Sequence, residues 1–152
     1  YATGVNDDIE AGPYLTRLCA SLSQSMIGSN NPVIISVESA GGTTTSSEGI
    51  SLGLITTELV INALKHAFPE GKHGKIVVAY STGKGWWKLM VSDNGIGITT
   101  VPTRKGSLGT VIVQSLARQL GATVERKTSP KGTVVSIEHS LLGASGMPLL
   151  TP

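Results

Sequence analysis

The chain has 152 residues, 14% of them charged, and its formal net charge is +2. That length suffices for one domain with a buried core, and so mild a charge does not favour nucleic-acid binding. The single cysteine, Cys19, excludes an internal disulfide framework and is expected in the core. No apolar run reaches the length of a membrane span and no secretory leader is visible, so we expect a cytoplasmic domain of a soluble or membrane-anchored parent protein.

The first half of the chain is predicted to contain a helix, a strand, a loop and a long helix. Apolar residues recur at helical spacing over residues 13–27, and "PVIISVES", from Pro32, is typical of a strand. The polar stretch "AGGTTTSSEG", from Ala40, is predicted to be a loop. Residues 50–68, "ISLGLITTELVINALKHAF", predict a helix that stops before Pro69.

The second half is predicted to contain two hairpins around one helix. "KIVVAYS" and "WWKLMVS" are strands joined by the turn "TGKG", and two final strands surround "PKG". Between them, residues 107–120 predict a helix that ends at Gly121. We therefore predict an α/β two-layer sandwich, with a mixed, mostly antiparallel sheet covered by helices on one face. The expected organisation is a linker and first helix over residues 1–31, a core over 32–140 and a flexible tail over 141–152.

The long helix carries a polar stripe on an otherwise apolar surface. At 100° per residue, Ser51, Glu58, Asn62, Lys65 and His66 fall within one wedge. A solvated surface stripe is the simplest explanation of such a wedge. Glu58 and Asn62 lie one turn apart, however, and a carboxylate beside an amide oxygen can accept a proton and coordinate a hard cation.

The stretch "VSDNGIGI" places an acid at the end of a predicted strand, directly before two glycines. Asp93, held by the sheet, can accept a hydrogen bond from an exocyclic amine. Gly95 and Gly97 let the backbone approach a flat ring closely. A glycine turn capped by aspartate explains the same residues without a ligand, so this motif alone leaves both interpretations open.

A second glycine-rich segment, "KGSLGTVIVQSLARQLG", begins a predicted helix. Gly106 and Gly109 flank the helix start, Ser107 is a candidate N-cap, and Arg104 and Lys105 come just before. Free backbone amides at a helix start bind phosphate oxygens. The Walker sequence G-x-x-x-x-G-K-[ST] is absent, so this segment is not a P-loop.

In this order, the three segments resemble the Bergerat-type ATP-binding fold of sensor histidine kinases, gyrase-like heat-shock chaperones and mismatch-repair ATPases. "ELVINALKHAF" resembles the asparagine box, "DNGIGI" and "GSLGTVIVQSLARQLGA" resemble the two glycine boxes, and "KGTVVSIEH" resembles the closing strands. The match extends from Ile50 to His139 and is most similar to bacterial histidine kinases related to the HWE group. The chain departs from ordinary histidine kinases in its short lid, residues 99–105, which has no phenylalanine motif.

The resemblance implies a role for each site residue. Asp93 would bind the adenine amine, with support from Thr133 on the neighbouring strand. Asn62 would hold magnesium against the ATP phosphates, and Glu58 would be the catalytic base or orienting acid beside it. The remaining residues implied in nucleotide binding are Lys65, His66, Gly95, Gly97, Ile98, Lys105, Gly106, Ser107, Leu108 and Gly109.

The implied function is the catalytic domain of a two-component sensor histidine kinase, with ATP and magnesium as cofactors. It would donate the γ-phosphate of ATP to a histidine on a separate dimerisation domain of a homodimeric parent, and a response regulator would then receive it. The phosphoacceptor is expected upstream of Tyr1, because "IEAGPYLTRLCASL" resembles the segment that follows the dimerisation helices. No nucleic-acid or membrane contact is expected. Two alternatives remain open: an anti-sigma-factor serine kinase of the same fold, and a non-catalytic, nucleotide-gated interaction module.

Overall fold

The computed structural model describes residues 8–27, 33–39, 41–68, 73–95 and 108–140. Within these ranges three helices and two sheets are formed. In chain order the elements are β1 (Asp8–Glu10), α1 (Ala11–Leu22), a π-helical turn (Ser23–Ile27), β2 (Val33–Ser39), β3 (Thr43–Thr45), α2 (Ser46–His66), β4 (Gly74–Gly83), β5 (Trp86–Asp93), α3 (Leu108–Gln119), β6 (Thr123–Ser129) and β7 (Gly132–Ser140).

The main sheet has five strands in the order β2-β4-β5-β7-β6. The pair β2–β4 is parallel, because α2 forms the crossover between them, and the other three pairs are antiparallel. Two-residue turns close the hairpins β4–β5 and β6–β7, at Lys84–Gly85 and at Pro130–Lys131. The prediction of a mixed, mostly antiparallel sheet is therefore confirmed.

Helices cover one face of this sheet, as predicted, and the core lies between the two layers. Leu15 of α1, Ile55 and Val60 of α2, and Val113 and Ala117 of α3 are all buried there. On the sheet side, the central strands contribute rows of cross-strand neighbours with buried side chains. Two of these rows are Val78–Val91–Val135 and Tyr80–Leu89–Ile137.

The helix α2 begins at Ser46, four residues before the predicted start, and part of the predicted loop is strand β3. The Thr45 hydroxyl accepts a hydrogen bond from the Glu48 backbone N–H at 3.1 Å, so Thr45 is the N-cap. The Thr44 hydroxyl donates to the Glu48 carboxylate at 3.1 Å. These two bonds start the helix inside the polar stretch "AGGTTTSSEG", which the sequence predicted to be a loop.

The other two helices follow their predictions closely. The helix α1 continues through a π-helical turn to Ile27, and Cys19 is buried in the core, where burial raises its pKa to about 11. The helix α3 ends in a Schellman motif, in which Gly121 has φ +68° and the Ala122 N–H donates to the Ala117 carbonyl at 2.9 Å. In the described part of the chain, no helix has the length and apolar character needed to cross a membrane.

Candidate functional site

The core face of the sheet changes from apolar to polar at its last row. Ile76, Asp93, Thr133 and Thr128 are successive cross-strand neighbours on β4, β5, β7 and β6. Ile76 is fully buried and Thr133 is 8% exposed, whereas Asp93 is half-buried. A carboxylate and two hydroxyls are thus placed side by side where the apolar core ends.

The Asp93 carboxylate is held in a fixed position. Its Oδ1 accepts a hydrogen bond from the Gly95 backbone N–H at 2.9 Å. Burial raises the pKa of Asp93, and the backbone N–H groups of Gly95 and Thr133 oppose that rise by favouring the charged form. The result is an acceptor partly withdrawn from water, which binds a ligand donor more strongly than an exposed carboxylate does.

Two glycines allow close backbone approaches around Asp93. Gly95 is buried, and a Cβ atom added to it would overlap the carbonyl oxygen of Ala67. The same atom would lie 2.6 Å from the Ala67 Cβ. This contact joins the corner after β5 to the end of α2. Gly132, at φ +137°, lies against the Asp93 carbonyl, and a Cβ there would also be 3.1 Å from the Asn94 Cα.

Asn94 attaches the same corner to β4, and sequence reasoning missed this role. Its backbone N–H donates to the Lys75 carbonyl at 3.2 Å, and its Oδ1 accepts from the Lys75 N–H at 2.8 Å. Because Asn94 directly follows Asp93, these two bonds restrict the direction in which the carboxylate points.

Thr128 is the second residue that sequence reasoning missed. Its hydroxyl forms a hydrogen bond with the Thr133 hydroxyl at 2.9 Å, between β6 and β7. The two-residue turn could have identified the pair, because a hairpin that pairs Ser129 with Gly132 also places Thr128 opposite Thr133.

The polar stripe lies on α2, which contacts both β5 and α3. Glu58 and Asn62 are half-buried and lie one turn apart, whereas Lys65 and His66 are exposed in the last turn of the helix. Together with Ser51, which is also half-buried, Glu58 and Asn62 are therefore the members of the stripe that the surrounding elements partly cover.

The described residues do not extend to the whole predicted site. Leu108 and Gly109 begin α3, one residue after the helix start that the sequence predicted at Ser107. The predicted residues outside the described ranges are Gly97, Ile98, Lys105, Gly106 and Ser107, together with the short lid over residues 99–105.

Among the described residues, the Asn62 amide oxygen is a candidate magnesium ligand. Among them, no group of three or more histidine, cysteine, aspartate or glutamate side chains forms a metal cage. Magnesium commonly takes one or two protein oxygens and completes its shell with substrate phosphates and water. The amide oxygen of Asn62, half-buried one turn from the Glu58 carboxylate, suits that mode.

Comparison with protein families gives one match that includes α2 and the sheet strands from β4 onward. Residues 47–142 match the family described as histidine kinase-, DNA gyrase B- and HSP90-like ATPase. Among curated proteins, the chain is 28% identical over 136 residues to blue-light-activated histidine kinase 2 of Erythrobacter litoralis. It is 31% identical over 99 residues to the sensor histidine kinase PdtaS of Mycobacterium tuberculosis. The chain spans 39% of the length of the first protein and 20% of the second.

Solved structures give the same relationship. The histidine kinase domain of the Erythrobacter litoralis EL346 blue-light-activated kinase aligns over 91% of this chain and 69% of its own, with a TM-score of 0.79 and 27% identity. The mycobacterial sensor histidine kinase MprB aligns over 93% of this chain and 99% of its own, with a TM-score of 0.67. At 17% identity the second alignment shows a shared fold only.

Proposed function

Because the chain belongs to the family of histidine kinase-, DNA gyrase B- and HSP90-like ATPases, we propose that it is the catalytic ATP-binding domain of a sensor histidine kinase. The observation that carries this proposal is the polar row at the end of the sheet. There a fixed, half-buried Asp93 carboxylate lies beside Thr133, and Gly95 brings the backbone against α2.

In this proposal the polar row recognises the base of ATP. The Asp93 carboxylate accepts a hydrogen bond from the exocyclic amine of adenine, and Thr133 supports that contact from β7. Gly95 has no Cβ and so lets the corner pack against Ala67, which would hold the backbone beside the flat ring. Gly97 would leave space for the ring, because it carries no side chain. An aspartate at this position selects against a base that presents a carbonyl oxygen in place of the amine, since two acceptors then face each other.

The helix α2 and the start of α3 would hold the phosphates. Asn62 would bind the magnesium ion that accompanies ATP, and the ion would screen the phosphate charge. Free N–H groups at the start of α3, with Lys105, Gly106 and Ser107 before it, would bind phosphate oxygens. Lys65 and His66 would add positive charge or hydrogen-bond donors near the terminal phosphate.

Phosphoryl transfer would then proceed to a histidine outside this domain. A ring nitrogen of that histidine attacks the γ-phosphorus, the bond from phosphorus to the β–γ bridging oxygen breaks, and ADP leaves. Glu58 accepts the proton that the attacking ring loses, or orients the ring that loses it. The acceptor histidine would belong to a dimerisation domain of a homodimeric, two-component parent protein, and a response regulator would receive the phosphate. We place the domain in the cytoplasm, where ATP is available.

A radiolabel transfer assay tests this proposal. The chain is incubated with γ-labelled ATP and magnesium, alone and with the dimerisation domain of its parent protein added separately. We expect acid-labile, base-stable label on the added domain and no histidine label on the chain alone. Acid-stable label on a serine or threonine would contradict the proposal and support the anti-sigma-factor kinase alternative.

A further inference from the structure

We propose that Thr128 is a positioning residue for base recognition, whose hydroxyl donates to Thr133 and thereby directs the Thr133 proton toward the nucleotide base. This inference rests on the proposed function, because it concerns how the same site distinguishes one base edge from another. It assigns a role to a side chain that would not itself touch the ligand.

Three polar side chains follow one another across the last row of the sheet. Asp93, Thr133 and Thr128 are successive neighbours on β5, β7 and β6, so their side chains lie on the same face. Side chains directly opposite each other in an antiparallel pair have Cβ atoms about 4.5–5.5 Å apart. Thr133 is therefore flanked by a carboxylate on one side and by a hydroxyl 2.9 Å away on the other.

The charge of Asp93 favours one direction of the hydrogen bond between the two threonines. Either hydroxyl can donate in that bond, and a hydroxyl has only one proton. An ionised carboxylate is an acceptor only, so its negative charge attracts the positive end of the Thr133 hydroxyl. If Thr128 supplies the proton of the threonine pair, the single Thr133 proton stays free for a third acceptor. That acceptor lies on the Asp93 side in the ligand-free site, and it is an acceptor of the base once a ligand amine occupies the carboxylate.

This arrangement matches the edge of adenine. Next to its amine, adenine carries the ring nitrogen N1, which is an acceptor. With the amine donating to Asp93, a donor beside the carboxylate meets N1, directly or through one water. Thr133 supplies that donor only when its own oxygen accepts from Thr128. Without Thr128 the Thr133 hydroxyl can turn its proton toward other acceptors, and the preference for an N1 acceptor falls.

The test uses two ligands that differ in one ring atom. Calorimetry compares ADP with 1-deaza-ADP, in which a C–H group replaces N1, in the presence of magnesium. For the unmodified chain we expect 1-deaza-ADP to bind about threefold to tenfold more weakly, as for the loss of one neutral hydrogen bond. For Thr128→Val we expect ADP to weaken by a similar factor, whereas 1-deaza-ADP changes less than about twofold.

Matched variants separate this role from a general effect on the fold. Thr128→Ser keeps the hydroxyl and should bind both ligands as the unmodified chain does. Thr123→Val removes a hydroxyl from the far end of the same strand and should also change nothing. Thr128 is exposed on an edge strand, where valine fits, and thermal unfolding confirms that each variant is folded.

Two outcomes would overturn the inference while leaving the proposed function intact. One is an equal loss of affinity for ADP and 1-deaza-ADP in Thr128→Val, which would indicate a purely structural role. The other is an unmodified chain that binds the two ligands equally well. Failure of the unmodified chain to bind ADP at all would instead contradict the proposed function itself.

Discussion

Asp93 combines two opposing demands in one side chain. Partial burial disfavours its charged form and raises its pKa, yet the proposed contact with adenine needs the charge. The N–H groups of Gly95 and Thr133 compensate in part, because they hydrogen-bond to the charged form. We infer that the charged form of Asp93 is energetically unfavourable in the ligand-free domain. A hydrogen bond from a ligand donor would stabilise that charged form.

The first prediction follows from that pKa. The folded chain binds a proton at Asp93 more tightly than the unfolded chain does. The contribution of this group to stability therefore falls as pH rises from the unfolded pKa, about 4, through the higher folded value. Asp93→Asn keeps the shape without the charge, so we expect a variant more stable than the unmodified chain at pH 7.

Urea unfolding of both proteins between pH 4 and pH 7.5 measures this effect. The stability difference in favour of the variant should grow with rising pH and then become constant above the folded pKa. A variant that is less stable throughout, or a difference that does not vary with pH, would contradict our account of Asp93.

The second prediction concerns the contact between Gly95 and Ala67. Gly95→Ala places a methyl group against the carbonyl oxygen at the end of α2, and backbone at both sides limits relaxation. We expect destabilisation of about 1–3 kcal/mol by chemical unfolding, together with weaker nucleotide binding. Ala67→Gly in the same chain removes a Cβ but leaves the carbonyl, so it should not restore stability. Full recovery of stability in the chain that carries both changes would contradict this, because it would show that the clash is with the Ala67 side chain and not with its carbonyl oxygen.

At the scale of elements, local signals in the sequence predicted most of the fold. Two-residue turns around Gly85 and around Pro130–Lys131 fix the registers of both hairpins, so their strands were found nearly to the residue. The start of α2 was missed because threonine and serine are typical of loops as well as of helix caps. Pairing of β1 with β3 was also missed, since strands of three residues carry no periodic pattern.

The sequence identified Asp93 and Gly95 as candidate site residues, but not the residues that orient them. Asp93 and Gly95 stand in one recognisable motif, whereas Asn94 acts through bonds to Lys75, 19 residues away. Thr128 and Gly132 act across strands, so their roles depend on register. The contacts of Asn94 and Gly132 arise from tertiary structure, and composition or spacing alone does not reveal them. The pair Thr128–Thr133 lies within one hairpin, and its two-residue turn could have identified it.

The third prediction belongs to α2, where we propose that half-buried Asn62 binds the metal and half-buried Glu58 accepts the proton. In the transfer assay with the added dimerisation domain, Asn62→Ala should abolish detectable transfer, because it removes the oxygen proposed to hold magnesium. Glu58→Gln keeps the shape but removes the proton acceptor, so transfer should slow by about 100-fold or more while ADP affinity changes little.

Ser51→Ala is the matched control for that pair. Ser51 is half-buried on the same stripe, two turns before Glu58, and should be dispensable for transfer. Normal transfer by Asn62→Ala, or a loss in Ser51→Ala as large as in Glu58→Gln, would contradict the assignment of roles along the helix.

At the scale of the whole molecule, the proposed function gives the sheet and the helices different roles. The sheet presents Asp93 and Thr133 at the end of its core face, and α2, which carries the polar stripe, contacts both the sheet and α3. A ligand that needs both layers would connect base recognition on the sheet with phosphate binding on the helices. The central claim is therefore that one nucleotide binds at the polar row and depends on the Asp93 carboxylate.

Calorimetric titration of ADP with magnesium into the unmodified chain and into Asp93→Asn tests that claim most directly. Asparagine can present its NH₂ group to the adenine amine, so two donors would face each other at the site. We predict one ADP bound per unmodified chain and a severe loss of affinity in the variant, with urea unfolding as the check that the variant is folded. Equal affinity in the two proteins, or no binding to the unmodified chain, would contradict the account.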